Sequence, residues 1–256
     1  MGNGLFAQGT PAFNYPLAFD VMGTEIDWQA SDESRRVDTG KFTPPPAFDL
    51  RFARAMAGAR PYIYLLDTDF DTWTKGYSDQ YFQICLAYGL WPSFYSADAA
   101  DHVYFTNSSL IERDRPIWRQ FIPVLRAINL AGWEPLTLAN TTCSSSAASG
   151  TGGGDDFILE RFGSLQRGTR LFFTLRHLNS TTAALSGRER PSKLTLTLHV
   201  AELGLTNKRH AMVEVAQRGR MNVTVSPLVV RHGATTADVQ VSGLSRESTL
   251  VLEVLE

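Results

Sequence analysis

The hydrophobic period of this chain changes once, near residue 145, and that change confines it to two structural regimes. Ahead of it, short apolar runs alternate with segments of helical spacing. Phe48 to Ala59 places Leu50, Ala53 and Ala57 on one face behind Asp49 as an N-cap. "RPYIYLLD" reads as a buried strand over Tyr62 to Leu66, short, aromatic and bounded by Pro61 and aspartates. "SDQYFQICLAYG" is a second helix, with Ser78 as N-cap and Gly89 as its stop. "LWPSFYS" is a second strand, and Arg113 to Trp133 a third helix striped by Ile117, Phe121, Leu125 and Ile128. Helix, strand, helix, strand, helix is the rhythm of parallel α/β structure.

Beyond residue 145 the period drops to two. "TRLFFTLRHL", "KLTLTLHVAEL", "HAMVEVAQRG", "RMNVTVSPLVV", "ADVQVSGL" and "STLVLEVLE" alternate apolar and polar residues between Gly, Pro and Asn. Six such segments predict an antiparallel β-sandwich. The expected division is residues 1–142 as α/β, 143–155 ("CSSSAASGTGGG" and its flank) as a Gly/Ser linker, and 156–256 as the all-β part.

Three aspartates, Asp67, Asp69 and Asp71, follow the apolar run "YIYLL" at every second position. Their spacing imitates the start of a calcium-binding EF-hand loop, but Thr72 stands where that loop needs glycine and Ser78 where it needs glutamate. No histidine pair has metal-ligand spacing, so no metal and no cofactor is expected. The reading left is the C-terminal end of a parallel strand, the edge at which such sheets hold their ligands.

Two other apolar segments end in polar groups: "PLAFDVMGTEIDW" at Asp20, with Glu25 and Asp27 beyond, and "SFYSADAADH" at Ser96 and Asp98. Carboxylates on one rim, with Trp28, Tyr88 and Trp91 near them, suit a sugar. Pyranose C–H faces pack on aromatic rings, and glycosidic cleavage uses two carboxyl groups flanking the bond. Asp20 and Glu25 are the candidate catalytic residues; Asp67, Asp69, Trp28, Tyr88 and Trp91 are the candidate sugar-binding residues. Asp67 is expected to face the same pocket as Asp20, with Arg60 near enough to stabilise its charge.

Composition narrows the partners. Twenty-four basic and 26 acidic side chains give a net charge of −2, which provides no electrostatic footprint for nucleic acid. No apolar run reaches the roughly 18 residues of a membrane span. Four N-x-S/T sequons, at Asn107, Asn140, Asn179 and Asn222, lean toward a secretory location. Cys85 sits in an apolar run and Cys143 in a polar one, which leaves a disulfide between them open.

The segments "DVMGTE", "AYGLWPSF" and "RDRP…AGWEP" resemble the closing part of α-glycosidases of the α-galactosidase-like clan. The resemblance implies the last three units of a (β/α)8 (TIM-type) barrel followed by a C-terminal β-sandwich. It implies a retaining glycoside hydrolase acting on an oligo- or polysaccharide, with Asp20 or Glu25 as acid/base or sugar-binding carboxylate and Trp91 as ring platform. A whole barrel takes about 250 residues, so the chain is expected to be a partial barrel or fragment, and a second chain completing it is the implied partner. The alternative is a non-catalytic carbohydrate-binding or interaction module derived from a truncated barrel.

Overall fold

The computed structural model describes residues 20–27, 47–68, 75–96, 108–136, 141–145, 157–177, 192–205, 209–217, 223–245 and 248–255. The chain divides into two compact units, Met1–Leu125 and Arg126–Glu256. The boundary lies inside a helix, ahead of the residue 142 at which composition changes.

In the first unit, β1 (Met22–Asp27), α1 (Ala47–Ala57), β2 (Tyr62–Thr68), α2 (Lys75–Tyr88), β3 (Trp91–Ser96) and α3 (Ser108–Ala131) follow one another. The three strands form one parallel sheet in the order β1-β2-β3. This corrects the barrel expectation. No (β/α)8 barrel is present among the described residues: three strands form an open sheet with β1 and β3 at its edges. Pro92 lies in the edge strand β3, where its missing N–H is tolerated.

Helix α2 is the centre of this unit. From Tyr81 to Tyr88 every residue is buried, so it has no solvent face over its last two turns. Tyr81 stacks on Tyr64 of β2 at 5.4 Å between ring centroids, while Phe82 meets Trp118 of α3 edge-on at 4.9 Å. The helix is therefore held between the sheet and α3. Ser78, expected as its N-cap, lies inside it, and its hydroxyl donates to the buried Asp114 carboxylate of α3 at 2.6 Å. Gly89 ends the helix with φ 64°, and Leu90 N–H returns to the Cys85 carbonyl at 2.8 Å, the six-to-one bond of a Schellman turn. Arg54, buried, closes the turn from α1 to β2 by donating to the carbonyls of Gly58 and Arg60.

Helix α3 carries Pro116 and Pro123 in its interior. Both lie on the exposed side, where water can meet the carbonyls of Glu112 and Arg119 that their missing N–H groups leave. An interior proline costs about 3 kcal/mol. A fully buried Ile, Leu or Phe contributes about 1.5–3 kcal/mol, and Ile117, Phe121, Leu125 and Ile128 are all buried. Packing outweighs propensity here.

Among the described residues the second unit holds two antiparallel sheets: β10 (Thr224–Val225), β12 (Thr236–Leu244), β8 (Ser192–His199) and β5 (Thr141–Ser145) in that order, and β11 (Leu228–Val229), β9 (Arg209–Glu214), β13 (Thr249–Leu255), β7 (Leu171–His177), β6 (Phe157–Phe162) and β4 (Trp133–Glu134) in that order. Leu194, Leu196 and Leu198 of β8 (Ser192–His199) and Val239 and Val241 of β12 (Thr236–Leu244) come from the first sheet. Leu171, Phe173 and Leu175 of β7 (Leu171–His177) and Leu250, Leu252 and Val254 of β13 (Thr249–Leu255) come from the second. They meet in one hydrophobic core. The outward residues of β8 and β12 form polar pairs across the ladder, Thr197 donating to Asp238 at 2.8 Å. Cys143 to Ser145, expected in the linker, belong to β5 (Thr141–Ser145), which pairs with β8.

The last turn of α3 leads into β4 (Trp133–Glu134), which pairs with β6 (Phe157–Phe162). Trp133 Nε1 donates to the buried Glu160 at 2.9 Å, and Glu134 meets Arg161 and Arg167. Gly163 (φ 81°) brings its N–H to the Gly132 carbonyl at 2.7 Å. Among the described residues no helix is long and apolar enough to cross a membrane.

Candidate functional site

The parallel register fixes which residues reach the C-terminal rim together. Asp27 of β1 pairs with Asp67 of β2, and Asp67 pairs in turn with Tyr95 of β3. These three form one row at the end of the sheet. Two residues deeper, Glu25, Leu65 and Ser93 form the next row of the same parity. Neighbouring strands lie about 4.8 Å apart, so the two aspartates are one strand spacing from each other in the backbone.

Asp20 is exposed and precedes β1, at the N-terminal edge of the sheet. Its neighbour Met22 pairs with Tyr62, and Asp67 lies five residues beyond Tyr62 in β2, roughly 16 Å at 3.3 Å per residue. That exceeds the roughly 9.5 Å upper limit of a catalytic carboxyl pair. The sheet therefore does not bring Asp20 and Asp67 together. Trp91 opens β3 at the same N-terminal edge, half-buried, and Arg60 precedes β2 there as well, away from Asp67. Tyr88 is 1% exposed and packs in the core. Glu25 lies within β1, and Trp28 and Asp69 lie outside the described residues. Asp27, which the sequence reading left out of the candidate set, is the residue that register places beside Asp67. The signal was present as the last carboxylate before Trp28, but it could be used only once β1 was known to start at Met22.

A neutral core lies beneath the rim. Tyr64, Tyr81 and Cys85 are all fully buried, and burial pushes the two phenols and the thiol well above their ordinary pKa values. They stay protonated at neutral pH and serve as packing and hydrogen-bonding groups. The Tyr81 hydroxyl donates to the Tyr64 carbonyl and accepts the Ser93 N–H at 3.0 Å. Cys85 is a free thiol. Among the described residues no group of three His, Cys, Asp or Glu side chains could hold a metal ion. Compared with protein-family models, curated proteins and solved structures, the chain matches none of them.

Proposed function

We propose that this chain is a carbohydrate-active protein of glycoside-hydrolase type, whose working carboxyl pair is Asp27 and Asp67. The observation that carries the reading is their register: two acidic residues side by side at the C-terminal rim of parallel strands. Like charges at adjacent positions of a sheet are destabilising, so a fold that retains them asks for a use. Glycosidic cleavage supplies one, with one carboxyl group donating a proton to the leaving oxygen and the other attacking or stabilising the anomeric carbon. A single strand spacing, about 4.8 Å between backbones, is nearer to the roughly 5–5.5 Å of retaining carboxyl pairs than to the roughly 6.5–9.5 Å of inverting ones. Tyr95, next to Asp67, adds an aromatic residue of the kind that receives a sugar face. The likeness of "DVMGTE" and "AYGLWPSF" to α-glycosidases of the α-galactosidase-like clan supports the same class.

The test is turnover of a panel of aryl glycosides and oligosaccharides by the full chain, compared with Asp27→Asn and Asp67→Asn. Product release by the parent chain, abolished in both variants, is the expected result. Binding without release of reducing sugar would make the chain a carbohydrate-binding module, and neither binding nor release would end the reading.

A further inference from the structure

We propose that Tyr81 is a positioning residue for the rim, its hydroxyl setting how β2 and β3 lie against each other just below Asp67 and Tyr95. The inference rests on the rim reading above for its functional meaning, but its geometry stands alone. One oxygen touches both strands: it donates to the Tyr64 carbonyl of β2, accepts the Ser93 N–H of β3 at 3.0 Å, and lies 3.1 Å from the Ser93 carbonyl. Tyr64 is three residues before Asp67, and Ser93 is two before Tyr95. Pro92, beside Ser93, brings no N–H of its own to this stretch of β3, which makes the Ser93 amide the first backbone donor after Trp91.

The ring that carries this hydroxyl is itself fixed. It is completely buried, stacked on Tyr64 at 5.4 Å and edge-on to Phe82 at 6.0 Å. Its helix is pinned to α3 by Ser78 and Asp114. An oxygen held from three sides has little freedom, so the backbone groups bonded to it share that restriction. Burial also keeps the phenol protonated across the ordinary pH range, which preserves its donor. In catalysis, a misplacement of about 1 Å at reacting groups can cost roughly a hundredfold, so a hydroxyl that holds two rim strands in place reaches the chemistry without touching substrate.

Tyr81→Phe tests this, because it keeps the ring and removes the oxygen. Hydrogen exchange at the Ser93 amide and through Phe94–Ser96 should accelerate about tenfold, while exchange at Phe121–Ile128 of α3 stays as in the parent. On a glycoside that the parent turns over, kcat should fall about tenfold with KM unchanged, the signature of an interaction made only in the transition state. Para-aminophenylalanine at position 81, whose amine can donate to both the Tyr64 and Ser93 carbonyls but is a poor acceptor for the Ser93 N–H, should restore slow exchange through Phe94–Ser96 while the Ser93 amide itself stays fast. Unchanged exchange at Ser93–Ser96, equal acceleration throughout the unit, or failure of the donor analogue to rescue would overturn the proposal. If the parent turns over no glycoside, the rim reading falls, and the exchange measurements alone decide the role of Tyr81.

Discussion

Asp27 and Asp67 are register partners on two parallel strands, placed where β1 ends and one residue before β2 ends. Like charges directly opposite each other on neighbouring strands are destabilising, so neutralising either one is expected to relieve the sheet.

Asp67→Asn should therefore separate stability from function. The unfolding free energy should rise by about 0.5 kcal/mol, within the range of a cross-strand charge pair, whereas glycoside turnover should fall by about 100-fold or more. Urea unfolding and steady-state kinetics on the same preparations provide both numbers. A variant that is less stable but equally active would make Asp67 a structural residue.

The Ser78–Asp114 bond should be a larger structural contributor than any surface ion pair. Asp114 is fully buried, bonded to Ser78 and paired with Arg113 at 2.7 Å. Asp114→Ala removes the acceptor of a buried hydroxyl and the partner of a half-covered guanidinium, and should cost about 3 kcal/mol. Asp114→Asn keeps an acceptor and should cost about half of that. Equal effects from the two substitutions would place the energy in packing rather than in the bond.

Two glycines with nearly the same backbone should respond very differently to alanine. Gly163 and Gly168 have φ of 81° and 70°, so both substitutions carry the left-handed penalty of about 1–2 kcal/mol. At Gly168 an added Cβ meets nothing within 4 Å, but at Gly163 it would stand 1.8 Å from the Arg170 carbonyl oxygen. Gly168→Ala should lower the melting temperature by a few degrees at most, given about 1–2 kcal/mol. Gly163→Ala should prevent the Gly132–Gly163 bond from forming and leave the second unit poorly folded, visible as lost chemical-shift dispersion.

Alkaline stability should be set by the core beneath the rim. The Cys85 thiol and the Tyr64 and Tyr81 phenols have pKa values raised by burial above the ordinary 9.0 and 10.0, which they regain when the chain unfolds. Between the unfolded and folded values the folded state holds more protons, so the unfolding free energy decreases as pH rises. The contribution is full below pH 9.0 and is lost progressively above it. Thermal midpoints should be level up to that pH and then fall, and Cys85→Ala should move the onset toward the phenol range. A midpoint that holds steady well into the phenol range would contradict this assignment.

Period and punctuation made several elements legible in the sequence. The apolar run at Tyr62 gives β2, Gly89 follows the end of α2, and the alternation in "KLTLTLH" gives β8, because each pattern is local. What could not be read depends on partners. β1 is the polar sequence "MGTEID", a poor strand by propensity, and it forms because it lies in register with β2. The apolar run that precedes it had put Asp20 at a strand's end rather than before its start. β6, "FILERF", shows little polar alternation because Glu160 and Arg161 are buried along with Ile158 and Phe162. Tyr88 appeared as a rim aromatic because nothing in the last two turns of α2 distinguishes a covered face from an open one when every residue there is covered. The barrel came from resemblance, and resemblance does not count strands.

Pro92 has a consequence for how this molecule behaves in company. A strand at the margin of a sheet is a template on which another chain can extend, and each outward N–H is a point of attachment. Proline leaves that row with a gap near the start of β3, and a strand arriving there from a neighbour would find the ladder interrupted soon after it began. β1, the opposite margin, has no proline. Of the two margins of this sheet, β1 is therefore the one along which concentrated solutions should add strands, and a proline introduced at an outward N–H of that strand should suppress that addition.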